Sequence, residues 1–311
     1  MEIHLPKVEN WYTLNEKIHA FLGLPDDVTI RTYRGIHHAA FEIVQGTATF
    51  LAHKRSVGWL KGQTYAYSTA MPYLYKEAFQ VQPLSLKHPT IGFKEWAEAL
   101  KKDTNFVMMC ADQPITAEVF DLDELDSILN DKKIFSFTAS HKMHWLRGFP
   151  VVRPYSVLIC EAGEDLAFAI LGSKFKSPVQ ISSHFVFHED AVLQKLTMLR
   201  KQFPEDHAAL LKFESQLPEG FQPFPRVAAV LHDRSLIWHP EINGEALATE
   251  LKMPGMATAL TGCAQGFADF EWWETKPTPE QWRGLVILNL EAVKKLAGTK
   301  LLEEAVSRCR I

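Results

Sequence analysis

Lys174 closes the apolar run Asp165-Leu166-Ala167-Phe168-Ala169-Ile170-Leu171-Gly172-Ser173 and is followed by Phe175-Lys176-Ser177-Pro178. A lysine amine at a strand end, partly desolvated, can attack an aldehyde, and the imine it forms is a leaving group toward substrate amines. The competing account of the same residues is a solvated basic turn.

Other segments carry polar side chains where chemistry is commonly placed. Phe137-Thr138-Ala139-Ser140-His141 ends a predicted strand with a hydroxyl and an imidazole. In Arg34-Gly35-Ile36-His37-His38-Ala39-Ala40 a glycine opens a predicted helix, where unpaired amides and the helix dipole attract anions. The turn Asp112-Gln113-Pro114-Ile115-Thr116 follows a strand and offers the Gln113 amide. Arg283, before Gly284-Leu285-Val286-Ile287-Leu288-Asn289-Leu290, and its rival Arg153, in Val152-Arg153-Pro154-Tyr155, each present a guanidinium fork that fits a carboxylate through two parallel hydrogen bonds.

Some chemistries find less support. His141 and His144 lie three apart, and His184 and His188 lie four apart before Glu189 and Asp190. The second pair sits on a segment read as extended, which sets its rings too far apart to share an ion, so no metal site is expected. There is no Gly-x-Ser-x-Gly elbow for a serine hydrolase and no Gly-x-Gly-x-x-Gly for a dinucleotide.

The elements that must position these residues alternate short strand-like runs with longer runs of helical period, the pattern of an α/β protein. Helices are predicted over Trp11–Gly23, Gly35–Gln45, Gln63–Ala78, Phe93–Lys102 and from Asp121 to Asn130. Six strands are predicted over Thr47–Ala52, Gln80–Leu84, Asn105–Ala111, Ile134–Ala139, Ser156–Cys160 and Asp165–Leu171, and the sheet of this domain is expected to be mainly parallel and seven-stranded. Two helices, Asp190–Phe203 and Asp206–Gln216, lead to the proline- and phenylalanine-rich segment Pro218–Pro225. This segment divides a large α/β domain, 1–217, from a small C-terminal α+β domain, 218–311. The second domain is read as strands at Val227–Leu231, Ser235–Trp238, Thr258–Thr261 and Leu285–Leu290, with helices at Gly244–Leu251 and Glu291–Arg308.

At 311 residues, 47% of them hydrophobic, the chain has ample material for a core. Its 33 basic and 37 acidic residues nearly cancel, which gives no footprint for nucleic acid or a membrane surface. The first ten residues lack the basic start and apolar core of a secretion signal, and the four cysteines form no CxxC pair, so a cytoplasmic protein is expected.

In element order and in these motifs, from about Gly35 to the C-terminus, the chain resembles the fold-type-I PLP-dependent transferases, in particular the aminotransferase class V and cysteine-desulfurase branch. The resemblance implies pyridoxal 5'-phosphate (PLP) as cofactor, with Lys174 as Schiff-base lysine and Ser173 beside it. Thr138 takes the place of the aspartate that faces the pyridine nitrogen, and His141 the place near the phenolic oxygen. It further implies a phosphate cup at Gly35, Ile36, His37 and His38, Gln113 bonding the cofactor, and Arg283 or Arg153 on the carboxylate of an amino-acid-like substrate in a homodimer. The motifs depart from the family: Thr138 cannot hold a charged ring nitrogen, and Leu171 stands where a phosphate-binding serine is usual. These departures leave two functions open, a transferase or lyase and a catalytically degenerate dimeric scaffold or small-molecule-binding protein.

Overall fold

The structure, a computed structural model, describes residues 9–50, 53, 55–60, 65–84, 93–112, 119, 122–140, 151–163, 166–175, 189–224, 234–259 and 283–309. Contacts divide the chain into two units, the first taking most of the chain up to Arg200 and the second running from Lys201 to Ile311, with two short segments from earlier in the chain.

In the first unit, α1 (Glu9–Leu22) leads into β1 (Thr29–Tyr33) and α2 (Ile36–Phe50). Then come β2 (Ser56–Leu60), a single 3-10 turn (Tyr65–Tyr67), α3 (Ala70–Lys76), β3 (Gln80–Leu84), α4 (Phe93–Glu98) and β4 (Thr104–Cys110). The unit continues with α5 (Asp123–Asp131), β5 (Phe135–Ser140), β6 (Ser156–Glu161), β7 (Ala167–Leu171) and the first part of α6 (Glu189–Ser215). The strands form one seven-stranded sheet in the order β1-β7-β6-β5-β4-β2-β3. Pairing is parallel from β3 through β6, whereas β7 runs antiparallel to both β6 and β1. The mainly parallel seven-stranded sheet expected from the sequence is therefore present.

Both faces of the sheet are covered, which is why β4 is buried along its whole length and β7 reads as an unbroken apolar run. One face, carrying Phe106, Met108, Phe137, Ala139, Val157 and Ile159, packs on Ile36, Ala39, Ala40, Ile43 and Val44 of α2. The opposite face, with Leu158, Cys160, Phe168 and Ile170, packs on Leu14 and Ile18 of α1 and on Val192 and Leu196 of α6. Full burial of one such side chain contributes about 1.5–3 kcal/mol, so these two layers supply much of the force that holds the sheet between its helices.

Several elements differ from the sequence expectation. Of the strand expected over Thr47–Ala52, the described residues 47–50 are helical instead: α2 continues to Phe50, with the Thr47 hydroxyl donating to Ile43 O at 2.8 Å and Thr49 to Gln45 O at 2.8 Å. Burial of Val44, Thr47 and Ala48 on the sheet outweighs the strand preference of β-branched residues. The strand of that region is instead β2, which the sequence hid behind Gly58, and β1 was likewise unread. Within the stretch read as Gln63–Ala78 the described helix is confined to the 3-10 turn and α3, which ends at Lys76 and is followed by Ala78 in left-handed backbone (φ 58°). The two helices expected on either side of Pro204 are one 27-residue helix, α6.

The second unit contains β8 (Gln222–Pro223), β9 (Arg234–Trp238), α7 (Gly244–Glu250), β10 (Ala257–Ala259), β11 (Leu285–Asn289), α8 (Leu290–Leu296) and α9 (Leu301–Cys309). Its four strands pair in the order β10-β11-β9-β8 around a core of Ile237, Leu247, Val286, Leu288, Val293 and Leu302. The single final helix expected from the sequence is two, parted at Gly298 (φ 71°), where glycine accepts the left-handed turn that stops α8. The predicted strand at Val227–Leu231 lies outside the described residues. Among the described residues no helix is long and apolar enough to cross a membrane.

Candidate functional site

Strand direction decides which residues can meet. Strands β4, β5 and β6 end together, at Cys110, Ser140 and Glu161. Because β7 is antiparallel, its first residue Ala167 lies beside Glu161, and Tyr33, the last residue of β1, lies beside Ala167. The ends of β1, β4, β5 and β6 therefore share one edge of the sheet, and α2 starts there. The last residue of β7, Leu171, pairs with Val157 and Thr29, near the starts of β6 and β1, on the other edge.

At the first edge, Gly35 takes φ 82°, its N–H bonds Tyr33 O at 3.1 Å, and its own carbonyl accepts from Ala39 to begin the helix. No acidic residue occupies the first turn of α2, which leaves the dipole's positive end uncompensated by side-chain charge there. His37 and His38 belong to that turn. The imidazole of His38 bonds the Glu42 carboxylate at 2.9 Å one turn on, and its ring meets Tyr33 edge-on at 6.0 Å between centroids. Burial pushes the Tyr33 phenol up to about 12, against the pull of Arg31 and with a smaller push from Glu42. The Thr69 hydroxyl donates to His37 O at 3.5 Å.

Two strands away, the wholly buried Tyr67 donates to Phe137 O at 2.6 Å and lies 3.3 Å from Met109 O, which ties the 3-10 turn to the ends of β4 and β5. Cys110 and Cys160 are buried thiols, pushed well up by desolvation first and by the nearby Asp112 carboxylate second. Asp112 is itself buried at the end of β4, and among the described residues the buried Ser140 hydroxyl has no hydrogen-bond partner. The i,i+4 spacing of His38 and Glu42 on a helix could have disclosed that pair in the sequence. Tyr67 carries no such signal, since its acceptors are backbone atoms of distant strands.

Thr138 is half-buried in β5 but on the wrong face for α2. Phe137 and Ala139 point to α2, and side chains alternate along a strand, so Thr138 shares the opposite face with Ser136, whose hydroxyl bonds Asp126 on α5. The expectation that Thr138 and the Gly35 helix start border one site is thus corrected by strand alternation.

Lys174 departs further. It and Ser173 are exposed in the turn after β7, at the edge opposite the Gly35 helix start. The turn is closed by Lys174 N donating to Pro154 O at 2.9 Å and Phe175 N to Gly172 O at 2.9 Å. Phe175 then folds back edge-on against Phe135 and Phe137, at 5.6 and 5.9 Å. A Lys174 placed to meet a ligand with Thr138 and the phosphate cup is therefore not what the sheet provides, because β7 reverses direction and carries its C-terminal turn away.

Arg153 lies near that turn and is engaged with carboxylates of its own chain: one guanidinium nitrogen bonds Asp123 at 2.8 Å and Asp126 at 3.1 Å. Those hydrogen bonds, Asp123 first, hold its charge more firmly than usual, so it is not an open fork for a substrate carboxylate. Arg283 is exposed in the second unit, just ahead of β11. Gln113, His141, His144, His184 and His188 lie outside the described residues. Among the described residues no group of three His, Cys, Asp or Glu side chains could hold a metal.

Among the described residues, those that the resemblance assigns to pyridoxal phosphate do not meet at one place. The amine stands at one edge, the anion-attracting helix start at the other, and the hydroxyl meant for the ring nitrogen on the far face.

No family profile matches the sequence, and no curated protein matches it. Solved structures do match. A NifS-like protein superposes with a TM-score of 0.67 at 13% identity, covering 96% of this chain and 87% of its own. The NifS-like protein from Rickettsia africae ESF-5 gives 0.67 at 10% identity over 98% and 91%. The histidinol-phosphate aminotransferase from Clostridium acetobutylicum gives 0.67 at 12% identity over 98% and 91%. Identity this low speaks for architecture alone, and on that evidence the chain has the fold of the fold-type-I PLP-dependent transferases.

Proposed function

We propose that this chain is a catalytically degenerate PLP-transferase-fold protein, a homodimeric scaffold that binds a small molecule without Schiff-base chemistry at Lys174. The observation that carries this reading is the antiparallel direction of β7, which sets Lys174 at the edge opposite the Gly35 helix start. A second support is the β6–β7 connection, Ala162 to Leu166, which returns to the helix-start edge and contains no lysine. An amine cannot reach across a strand of five residues, roughly 17 Å at about 3.3 Å per residue, to react there.

The rival reading keeps the activity the resemblance implied, transfer or elimination on an amino-acid-like substrate with PLP on Lys174. It is favoured by the likeness of the fold to NifS-like and aminotransferase structures. One experiment separates the two. Protein is mixed with PLP, its visible spectrum recorded, and the mixture reduced with borohydride and digested. The degenerate reading expects superimposable spectra for wild type and Lys174→Ala, and no pyridoxyl group concentrated at Lys174 relative to other exposed lysines. A visible band lost in Lys174→Ala, with the label mapped to that residue, would restore the enzyme. Light scattering at micromolar concentration checks the dimer.

A further inference from the structure

One dipeptide of the second unit meets two separate structural needs and carries a chemistry that neither need explains. Asn243 is the N-cap of α7: its Oδ1 accepts the backbone N–H of Glu245 at 2.8 Å and of Ala246 at 3.3 Å, two of the donors that a helix start leaves open. Gly244, the next residue, is buried beside the start of β11, and a Cβ there would collide with the carbonyl oxygen of Leu285. The cap calls for a short polar side chain, and the close approach calls for glycine. Together they make the only Asn-Gly pair among the six asparagines of the chain.

An asparagine side chain is an amide within reach of the next residue's backbone nitrogen. When that nitrogen, having lost its proton, attacks Cγ, a new N–Cγ bond closes a five-membered ring and the side-chain nitrogen leaves as ammonia. Water then opens this succinimide at either carbonyl, giving aspartate or isoaspartate. A Cβ on the attacking residue crowds the approach, so glycine in that position makes ring closure fastest. Asn243 is exposed and lines an open groove of about 670 Å³ with Glu241, Glu245, Thr249, Glu250 and Arg308, so water reaches it. The folded cap, however, keeps the nucleophile away. With ψ at 124° the Gly244 nitrogen stands on the Hα side of Asn243, whereas ring closure needs it beside Cβ. The two N–H bonds to Oδ1 also hold the side chain toward the helix, so backbone and side chain must both turn before the ring can close.

We infer that Asn243 is a modification site gated by α7, deamidating when the first turn of the helix opens. The two products differ in their consequences. Aspartate caps as well as asparagine and adds a negative charge where the helix dipole favours it, so α7 re-forms. Isoaspartate lengthens the backbone by one carbon and carries its carboxylate off the cap position, so the start of α7 stays loosened. The conversion runs one way, and its extent records how often α7 has opened.

The test incubates the full chain at about pH 8 and 37 °C, native or unfolded in guanidinium, and follows Asn243 and Asn289 by peptide mass spectrometry. Asn289 is the internal control: it caps α8 in the same way, accepting the Ala292 N–H at 2.9 Å, but Leu290 follows it. In the unfolded chain Asn243 should convert at least about tenfold faster than Asn289, and in the native protein at least about tenfold slower than in the unfolded one. Guanidinium just below the unfolding transition should raise the native rate. Asn243→Ser keeps a cap but has no amide to lose, so it should leave the thermal midpoint unchanged and abolish the mass change in this peptide. Conversion of Asn243 no faster than Asn289 in the unfolded chain refutes the site, and equal native and unfolded rates refute the gate. A native rate below detection that stays so just under the transition also overturns the inference, since opening of α7 would then not expose the amide.

Discussion

Asp126 illustrates how single residues divide between support and surface. Its buried carboxylate accepts the hydroxyls of Ser136 and Ser156, the latter at 2.7 Å, and a guanidinium N–H of Arg153 at 3.1 Å, joining α5 to the starts of β5 and β6. Removing it leaves two buried hydroxyls without this acceptor and Arg153 with Asp123 as its remaining carboxylate partner. Asp126→Ala should therefore cost about 3 kcal/mol in urea denaturation, with no change in the slope of the transition. Lys174, a few residues from this network in space, should behave in the opposite way: Lys174→Ala is expected to shift stability by no more than about 0.5 kcal/mol, because the side chain is exposed. The sequence presented Lys174 as the chemical residue and left Asp126 unremarked inside the helix predicted from Asp121 to Asn130. Nothing local distinguishes a carboxylate that will be buried under three donors, since those donors come from 10 to 30 positions away.

At the scale of elements, the close approaches of backbone explain why certain glycines stand where they do. Gly172 packs its Cα against the carbonyls of Arg153 and Pro154, so that β7 can turn directly onto the strand β6 begins. Gly172→Ala should lower the thermal midpoint sharply or abolish soluble expression, whereas Gly35→Ala should lose about 1–2 kcal/mol through the backbone cost of φ 82°. Circular dichroism melts of the two variants side by side check the ranking. Among the strands, β4, β6 and β7 were legible as short, mostly apolar runs, and β3 and β5 as short alternations of polar and apolar residues. The region from Thr47 to Leu60 was not, since its β-branched residues sit in α2 and its glycine sits in β2. There, packing against the sheet decided what local preference could not.

For the molecule as a whole, the buried hydroxyl and thiols make alkaline pH the informative axis. Tyr33 keeps its proton up to about 12, whereas in the unfolded chain it ionises near 10. Between those values the folded state holds more protons than the unfolded one, so stability falls as pH rises, by about 3 kcal/mol for this group alone. Burial pushes Tyr67, Cys110 and Cys160 in the same direction. Guanidinium denaturation at pH 9 and pH 12 should show that loss, and Tyr33→Phe should recover a share of it at the higher pH. From its composition and the spacing of its apolar residues the chain declared an α/β protein with a mostly parallel sheet, the glycine at the head of α2, and the candidate amine at the end of β7. What only the tertiary structure decided was the direction of β7. Alternation and length are local properties of a strand, but whether it runs up or down a sheet depends on pairing with β6 and β1, partners separated from it by a connection in one case and by more than a hundred residues in the other. That reversal places Lys174 at one edge and the helix start at the other, and it turns a plausible list of cofactor ligands into two unrelated surfaces.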